Sequence, residues 1–79
     1  MMEHKAHLSG WLKEELGDSV KYAEAARHAD GCERQMLHDM AEEEYEHACA
    51  VWHMMECEHM TEGMDKHAIF HEAKAALYK

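Results

Sequence analysis

The chain contains no proline and only four glycines among its 79 residues. These two residue types most often end helices and form turns. Their scarcity excludes a fold built from many short strands, because each connection would need turn residues. So few breaks favour long helices, and the chain is short enough for one domain, spanning residues 1–79.

Cysteine is also scarce, with Cys32, Cys49 and Cys57 forming an odd set. On one helix, Cys49 and Cys57 would lie about 12 Å apart, which is too far for a disulfide. All three are typical of small apolar side chains in a reducing compartment. A domain this small buries only about 60% of its unfolded surface. Without disulfides it usually needs a metal or a partner chain.

Long apolar runs are missing, and none approaches the roughly 20 residues of a membrane span. The opening MMEHKAHLSG lacks the apolar segment of a signal peptide, so we expect a cytoplasmic protein that does not enter a membrane. Positive charge is low, with 8 Lys and Arg against 17 Asp and Glu and a formal net charge of -9. That balance argues against nucleic acid as a partner.

The residues that are abundant are strong helix formers, above all Ala, Glu, Lys, Leu and Met. Breaks at Asp30-Gly31 and around residues 61–63 predict an all-α fold with helices over 3–28, 33–60 and 65–78, the last capped by Asp65. The first two helices form an antiparallel hairpin followed by a short C-terminal helix. A hairpin cannot cover its own apolar face, so we expect it to dimerise into a four-helix bundle.

The third predicted helix has an apolar face of its own. It comprises Ile69, Phe70, Ala73, Ala76 and Leu77. This face either caps the bundle or mediates further assembly.

The stretch AEEEYEHACAVWHMM, residues 41–55, places four glutamates in a helix that otherwise suits burial. On a wheel of 100° per residue, Glu44 lies at the centre of the apolar stripe and His47 about 60° away, at its edge. Glu42 and Glu46 point to the opposite side, and Glu43 is intermediate. The stripe comprises Leu37, Met40, Ala41, Ala48, Val51 and Met55.

Glu15 occupies the same central place on the first helix, whereas Glu14 lies off the stripe. The stripe there comprises Leu8, Trp11, Leu12, Ser19, Tyr22 and Ala26. Residues 15 and 46 are equidistant from the predicted turn, so Glu15 should face the Glu44 and His47 pair. Three side chains that bind metals then converge at one level of the hairpin.

The Glu-x-x-His spacing alone has little weight, because 13 glutamates and nine histidines give about 1.5 such pairs by chance. The second pair, Glu56 and His59, is rotated by about 120° and is predicted to lie on the surface. Glu15 and Glu44 could instead lie at a wet edge of the hairpin. However, an unpaired buried carboxylate is costly, no Lys or Arg falls nearby on either stripe, and a bound cation would offset the cost.

At these residues the chain resembles the ferritin-like superfamily, and most closely the encapsulated-ferritin group of half-ferritins. The resemblance is carried by Glu15 with Tyr22 in LKEELGDSVKY, and by Glu44 with His47 in MAEEEYEHA. It implies a di-iron carboxylate site completed across a homodimer. Glu15, Glu44 and His47 would be both metal ligands and catalytic residues, with Tyr22 beside them.

The resemblance further implies a ferroxidase-like oxidoreductase that oxidises Fe(II) with O2 or peroxide. Carboxylates with imidazole suit Fe or Mn, and Mn or Zn are the expected substitutes for iron. An encapsulin shell is a conceivable partner, although the final residues AALYK show no cargo tail.

Two other functions remain open. One is a metal-binding or carrier protein for iron or copper without turnover, using the Met-, His- and Cys-rich segment HMMECEHMTEGMDKH, residues 53–67. Soft sulfur ligands suit Cu(I), but methionine is also a flexible core filler. The other is a structural helical protein without metal.

Overall fold

A computed structural model describes the backbone of residues 2–78 and the side chains of residues 7–78. This part of the chain forms three helices, α1 (Met2–Arg27), α2 (Gly31–Cys57) and α3 (Lys66–Tyr78), and no strand. The predicted all-α class and the number of helices are confirmed. None of the three helices is long and apolar enough to cross a membrane.

The turn between α1 and α2 lies where it was predicted. Gly31 has a φ of 55°, a left-handed backbone conformation that glycine adopts without steric cost. Asp30 is extended, with φ -125° and ψ 157°, and its carbonyl accepts from the Arg34 N–H at 3.4 Å. The chain therefore reverses direction within a few residues, and α2 begins at Gly31, two residues earlier than predicted.

The end of α2 differs more from the prediction, because the helix stops at Cys57 and not at residue 60. His59 has a φ of 57°, and the Met60 N–H donates to the Met55 carbonyl at 2.9 Å. The His59 N–H donates to the Glu56 carbonyl at 3.0 Å. Together these bonds form a Schellman motif, with histidine in the left-handed position that glycine usually takes.

Asp65 begins α3 as the sequence predicted. Its carboxylate Oδ1 accepts from the Ala68 N–H at 3.3 Å, and its carbonyl accepts from the Ile69 N–H at 3.0 Å. The carboxylate satisfies one N–H group of the first turn that has no partner within the helix, and the carbonyl accepts the first hydrogen bond of the helix.

A buried hydrogen bond fixes the register of the hairpin. The Ser19 hydroxyl donates to the Ala41 carbonyl at 2.8 Å, and Ser19 is fully buried. Residues 19 and 41 are equidistant from residue 30, so the antiparallel register agrees with the predicted one to within one residue. A one-residue slip would leave a buried hydroxyl without a partner, at a cost of about 1–3 kcal/mol.

The third helix packs against one side of its own hairpin. The Phe70 ring stands edge-on to Tyr45, with centroids 5.6 Å apart, and to Trp52 at 6.0 Å. Near the C-terminal end of α3, Arg27 donates to the Ala76 carbonyl at 3.0 Å. The main core cluster contains Leu8, Leu12, Ala48, Val51, Trp52, Met55 and Phe70.

The opposite side of the hairpin is left open. On the wheel of α2, Tyr45 and Trp52 lie about 80–100° to one side of Glu44, whereas Met36 and Met40 lie about 40–80° to the other. Met36 is 60% exposed and Met40 is 38% exposed. Trp11 of α1, predicted on the apolar stripe, is 45% exposed. The stripes are thus wider than the surface that α3 covers.

Candidate metal centre

The three predicted ligands meet at one level of the hairpin. Glu15 comes from α1, and Glu44 and His47 come from α2; one ligand atom of each lies within 4.8 Å of the other two. The His47 Nδ1 is 2.9 Å from Glu44 Oε1 and 3.2 Å from Glu15 Oε2. One imidazole nitrogen therefore contacts carboxylates from two different helices.

The fold produces this convergence in two steps. Residues three apart on a helix share a face, which brings Glu44 and His47 together within α2. The register set by Ser19 and Ala41 then places Glu15 opposite them, one turn closer to the N-terminus of α1. The wheel and the register therefore predicted this cluster correctly.

The cluster opens onto the uncovered side of the hairpin. The side chains of Glu15 and Glu44 are 13% and 19% exposed, whereas that of His47 is 61% exposed. The carboxylates thus lie mostly below the surface, and His47 covers them at the rim. The alternative of a solvent-exposed hairpin edge therefore fits the imidazole of His47 but not the two carboxylates.

The electrostatics link Glu15 and His47 to the charges beside them. Burial raises the pKa of Glu15, the nearby Glu44 carboxylate raises it further, and His47 opposes both effects. The hydrogen bond to Glu44 raises the pKa of His47 above its ordinary value of 6.5, against an opposing effect of burial. The site therefore attracts positive charge, which a proton on His47 or a metal ion can supply.

The donor set fits a first-row transition metal. Two carboxylates with one imidazole suit Fe, Mn or Zn. Among the described residues, neither Glu15 nor Glu44 forms an ion pair with Lys or Arg, and both contact His47. Three donors leave part of the coordination shell of an iron ion open for other ligands.

The remaining glutamates mostly follow the prediction. Glu14 and Glu46 are exposed, as expected, and Glu43, expected to be intermediate, is also exposed. Glu42, predicted to point into solvent, retains 45% side-chain exposure and approaches His38 at 3.8 Å.

A second group, formed by His38, Asp39 and Glu42, was not singled out from the sequence. The i,i+4 spacing of His38 and Glu42 was the signal that could have found it. The other ring nitrogen of His38 lies 3.3 Å from the Leu77 carbonyl, and Asp39 accepts from Gln35 at 2.9 Å. These side chains already have structural partners and lie on one helix, so the group serves as a control for the first.

The second Glu-x-x-His pair lies on the surface, as predicted. Glu56 and His59 are both exposed, and His59 lies beyond the end of α2. The early helix end removes the helical geometry that would place the two side chains together.

Three methionines of the Met-, His- and Cys-rich segment pack in or against the core. Met55 is 1% exposed, and Met54 and Met60 pack against the main core cluster. Among the described residues, neither group of convergent His, Cys, Asp and Glu side chains includes a residue of this segment.

Tyr22 lies half-buried against a smaller cluster formed by Ala23, Ala41 and Leu77. The Lys21 ammonium lies 5.7 Å from the centre of its ring. A place for Tyr22 beside bound metal stays a prediction.

Comparison with known proteins supplies no relative on which to base a function. The chain matches no protein-family model, no curated protein and no solved structure.

Proposed function

We propose that the protein is a ferritin-like di-iron carboxylate protein that oxidises Fe(II) with O2 or peroxide. Its site would be completed by two copies of the chain in a four-helix bundle. The observation that supports this most strongly is the convergence of Glu15, Glu44 and His47 from two helices, with the carboxylates mostly buried.

The open side of the hairpin supports the dimer. It combines the metal-binding cluster with the exposed side chains of Trp11, Met36 and Met40. Exposed apolar surface of this kind is typical of protein interfaces. A two-fold axis through this side would bring a second cluster to the first, giving four carboxylates and two imidazoles in total.

The chemistry follows from the donor set. A bound pair of Fe(II) ions would supply two electrons, enough to reduce O2 to peroxide or peroxide to water. Glu15 and Glu44 would hold the ions and provide the negative charge that favours Fe(III) over Fe(II). His47 would be the nitrogen ligand after losing a proton, and the partner copy would exclude water from the carboxylates.

The rate of Fe(II) oxidation tests this proposal. We expect the wild-type protein to accelerate oxidation by O2 or peroxide, and Glu15→Ala or Glu44→Ala to return the rate to that of buffer. The matched control is Glu56→Ala with His59→Ala, which removes the surface Glu-x-x-His pair and should leave the rate unchanged. Equal rates in all these proteins would contradict the proposal.

A carrier without turnover is the competing function, and the same assay separates it. Tight Fe(II) binding that depends on Glu15 and Glu44, with oxidation no faster than in buffer, would establish a carrier.

A further inference from the structure

A groove between α2 and α3 lies on the covered side of the hairpin, away from the metal-binding cluster. Its volume is about 450 Å³, which falls in the range of small-molecule sites. Its lining consists of Tyr45, Cys49, Lys66, His67, Phe70, His71 and Lys74. We call it the cationic groove.

Among the described residues that line the cationic groove there is no carboxylate, in a chain with 17 acidic residues and a net charge of -9. A groove of similar size, about 490 Å³, lies along α2 and is lined by Asp39, Glu42, Glu43 and Glu46 together with two methionines. The two grooves therefore differ in charge, with lysines along one and carboxylates along the other.

The two lysines of the groove are available to a ligand. Among the described residues, neither Lys66 nor Lys74 forms an ion pair; the Lys66 ammonium lies 5.7 Å from the centre of the Phe70 ring. Lys66 and Lys74 are eight residues apart, about 12 Å along α3. The rings of His67 and His71 lie between them, with centroids 6.1 Å apart.

The wall of the groove is aromatic. Phe70 is 4% exposed and stands edge-on to Tyr45. Flat rings and unpaired ammonium groups at one place suit a ligand with a flat apolar body and a negative group. The ammonium groups select a ligand by its charge, and the aromatic wall selects it by its shape.

We propose that the cationic groove binds a small organic anion with a flat apolar body and a carboxylate or phosphate head. Lys66 and Lys74 contact the anionic head, and the partly buried ring of Tyr45, which Phe70 supports from the core, contacts the apolar body. This site needs no metal and is independent of the proposed oxidation of Fe(II).

Cys49 provides a reporter inside the groove. Cys32 and Cys57 are exposed elsewhere, so replacing two cysteines at a time with serine gives three proteins with one thiol each. The probe is 5,5′-dithiobis(2-nitrobenzoate), a dianionic aromatic disulfide. The cysteine thiolate attacks one sulfur, a mixed disulfide forms, and the other half leaves as a coloured thiolate. Neutral 4,4′-dithiodipyridine reacts in the same way.

The ratio of the two rates cancels differences in thiolate fraction among the cysteines. We expect the anionic-to-neutral rate ratio to be at least tenfold higher for Cys49 than for Cys32 or Cys57. Lys66→Gln with Lys74→Gln should lower it about tenfold, since each exposed charge contact contributes a factor of roughly two to five. Lys13→Gln with Lys21→Gln matches the charge change and should leave the ratio within twofold. Equal ratios at all three cysteines would overturn the proposal.

Calorimetry with the unmodified protein tests reversible binding. We expect 2-naphthoate or 2-naphthyl phosphate to bind at least tenfold more tightly than neutral 2-naphthylmethanol, and the tighter of the two anions identifies the preferred head. Equal binding of all three compounds would overturn the proposal. So would binding that weakens as protein concentration rises, because a second copy would then occupy the groove.

Discussion

The two sides of the α1–α2 hairpin are formed by the same two helices but have opposite environments. On one side, α3 covers the hairpin and buries Phe70, Ala73 and Leu77. On the other side, Met36, Met40 and Trp11 are exposed, and the mostly buried carboxylates of Glu15 and Glu44 meet under His47. The covered side holds the monomer together, whereas the open side combines apolar surface with two carboxylates whose ion-pairing partner is His47 and not Lys or Arg.

This contrast shows why we place the proposed oxidation of Fe(II) on the open side. Carboxylates that lose water without gaining Lys or Arg reduce stability. A small domain with a limited core would not benefit from such an arrangement unless a ligand offset the cost. Substitutions on the covered side should therefore change folding, and those on the open side should change metal binding and association.

The largest expected effect is a loss of folding stability on removal of an aromatic ring from the covered side. Phe70→Ala removes the ring that contacts both Tyr45 and Trp52, and we predict a loss of about 3–5 kcal/mol in the free energy of unfolding. Urea denaturation of the metal-free protein measures it. Ile69→Ala, at a partly exposed position, should cost clearly less. A loss below about 1 kcal/mol for Phe70→Ala would show that α3 does not stabilise the hairpin.

The next largest effect is the stabilisation of the folded protein by metal bound on the open side. Mn(II) at 100 times its dissociation constant should stabilise the protein by about 2.7 kcal/mol, and it avoids oxidation during the measurement. Glu15→Ala or Glu44→Ala should abolish this increment in thermal denaturation. The control, His38→Ala with Glu42→Ala, removes the second group and should retain it. If only the control lost the stabilisation, the metal site would be the second group, formed by His38, Asp39 and Glu42.

A smaller effect is expected on self-association. Met36→Gln with Met40→Gln should weaken the dimer at least tenfold, about 1.4 kcal/mol, because apolar area at the proposed interface is lost. Sedimentation velocity over a range of protein concentrations measures the dissociation constant. Met64→Gln changes an exposed methionine outside the hairpin and should have no effect. Equal dissociation constants would place the interface elsewhere.

The smallest effect is on pH dependence. The pKa of His47 is raised above 6.5, so protonated His47 contributes stability that is present below pH 6.5 and lost as pH rises through the raised value. The pKa of Glu15 is raised above 4.5, and its ionisation also lowers stability with rising pH. Metal-free wild-type protein should therefore lose more stability between pH 5 and 8 than His47→Gln, in denaturation at each pH.

Metal binding should show the opposite sign. A metal ion displaces the proton from His47 Nδ1, so Mn(II) affinity should rise over the same range of pH. Affinity that is independent of pH would remove His47 from the ligand set.

The sequence predicted the cluster because helical period and hairpin register are local properties. Glu15 and Glu44 lie at the centres of apolar stripes with His47 at the edge of one, and the turn at Asp30-Gly31 places Glu15 level with the midpoint of Glu44 and His47; those facts require no tertiary structure. The end of α2 could not be predicted in the same way. His59 takes a left-handed conformation that is uncommon outside glycine, and the Schellman bonds that hold it leave no simple signal in the sequence.

The position of α3 was also beyond the sequence. Its apolar face was compatible with capping or with assembly, and the contacts of Phe70 with Tyr45 and Trp52 decide where it packs in the monomer. Trp11 and Met40 lie on predicted stripes yet remain 45% and 38% exposed. A helical wheel predicts the direction in which a side chain points, but not whether another part of the protein covers it. The cationic groove was missed because its lining comes from two helices that no short motif connects.

Native mass spectrometry during anaerobic titration with Fe(II) is the most direct test of the central claim. If two copies complete the site, the dimer should fill with two iron ions while the monomer remains free of iron. Glu44→Ala should give a dimer without iron. Iron bound equally well by the monomer, or a dimer that binds none, would contradict a di-iron site shared between two chains.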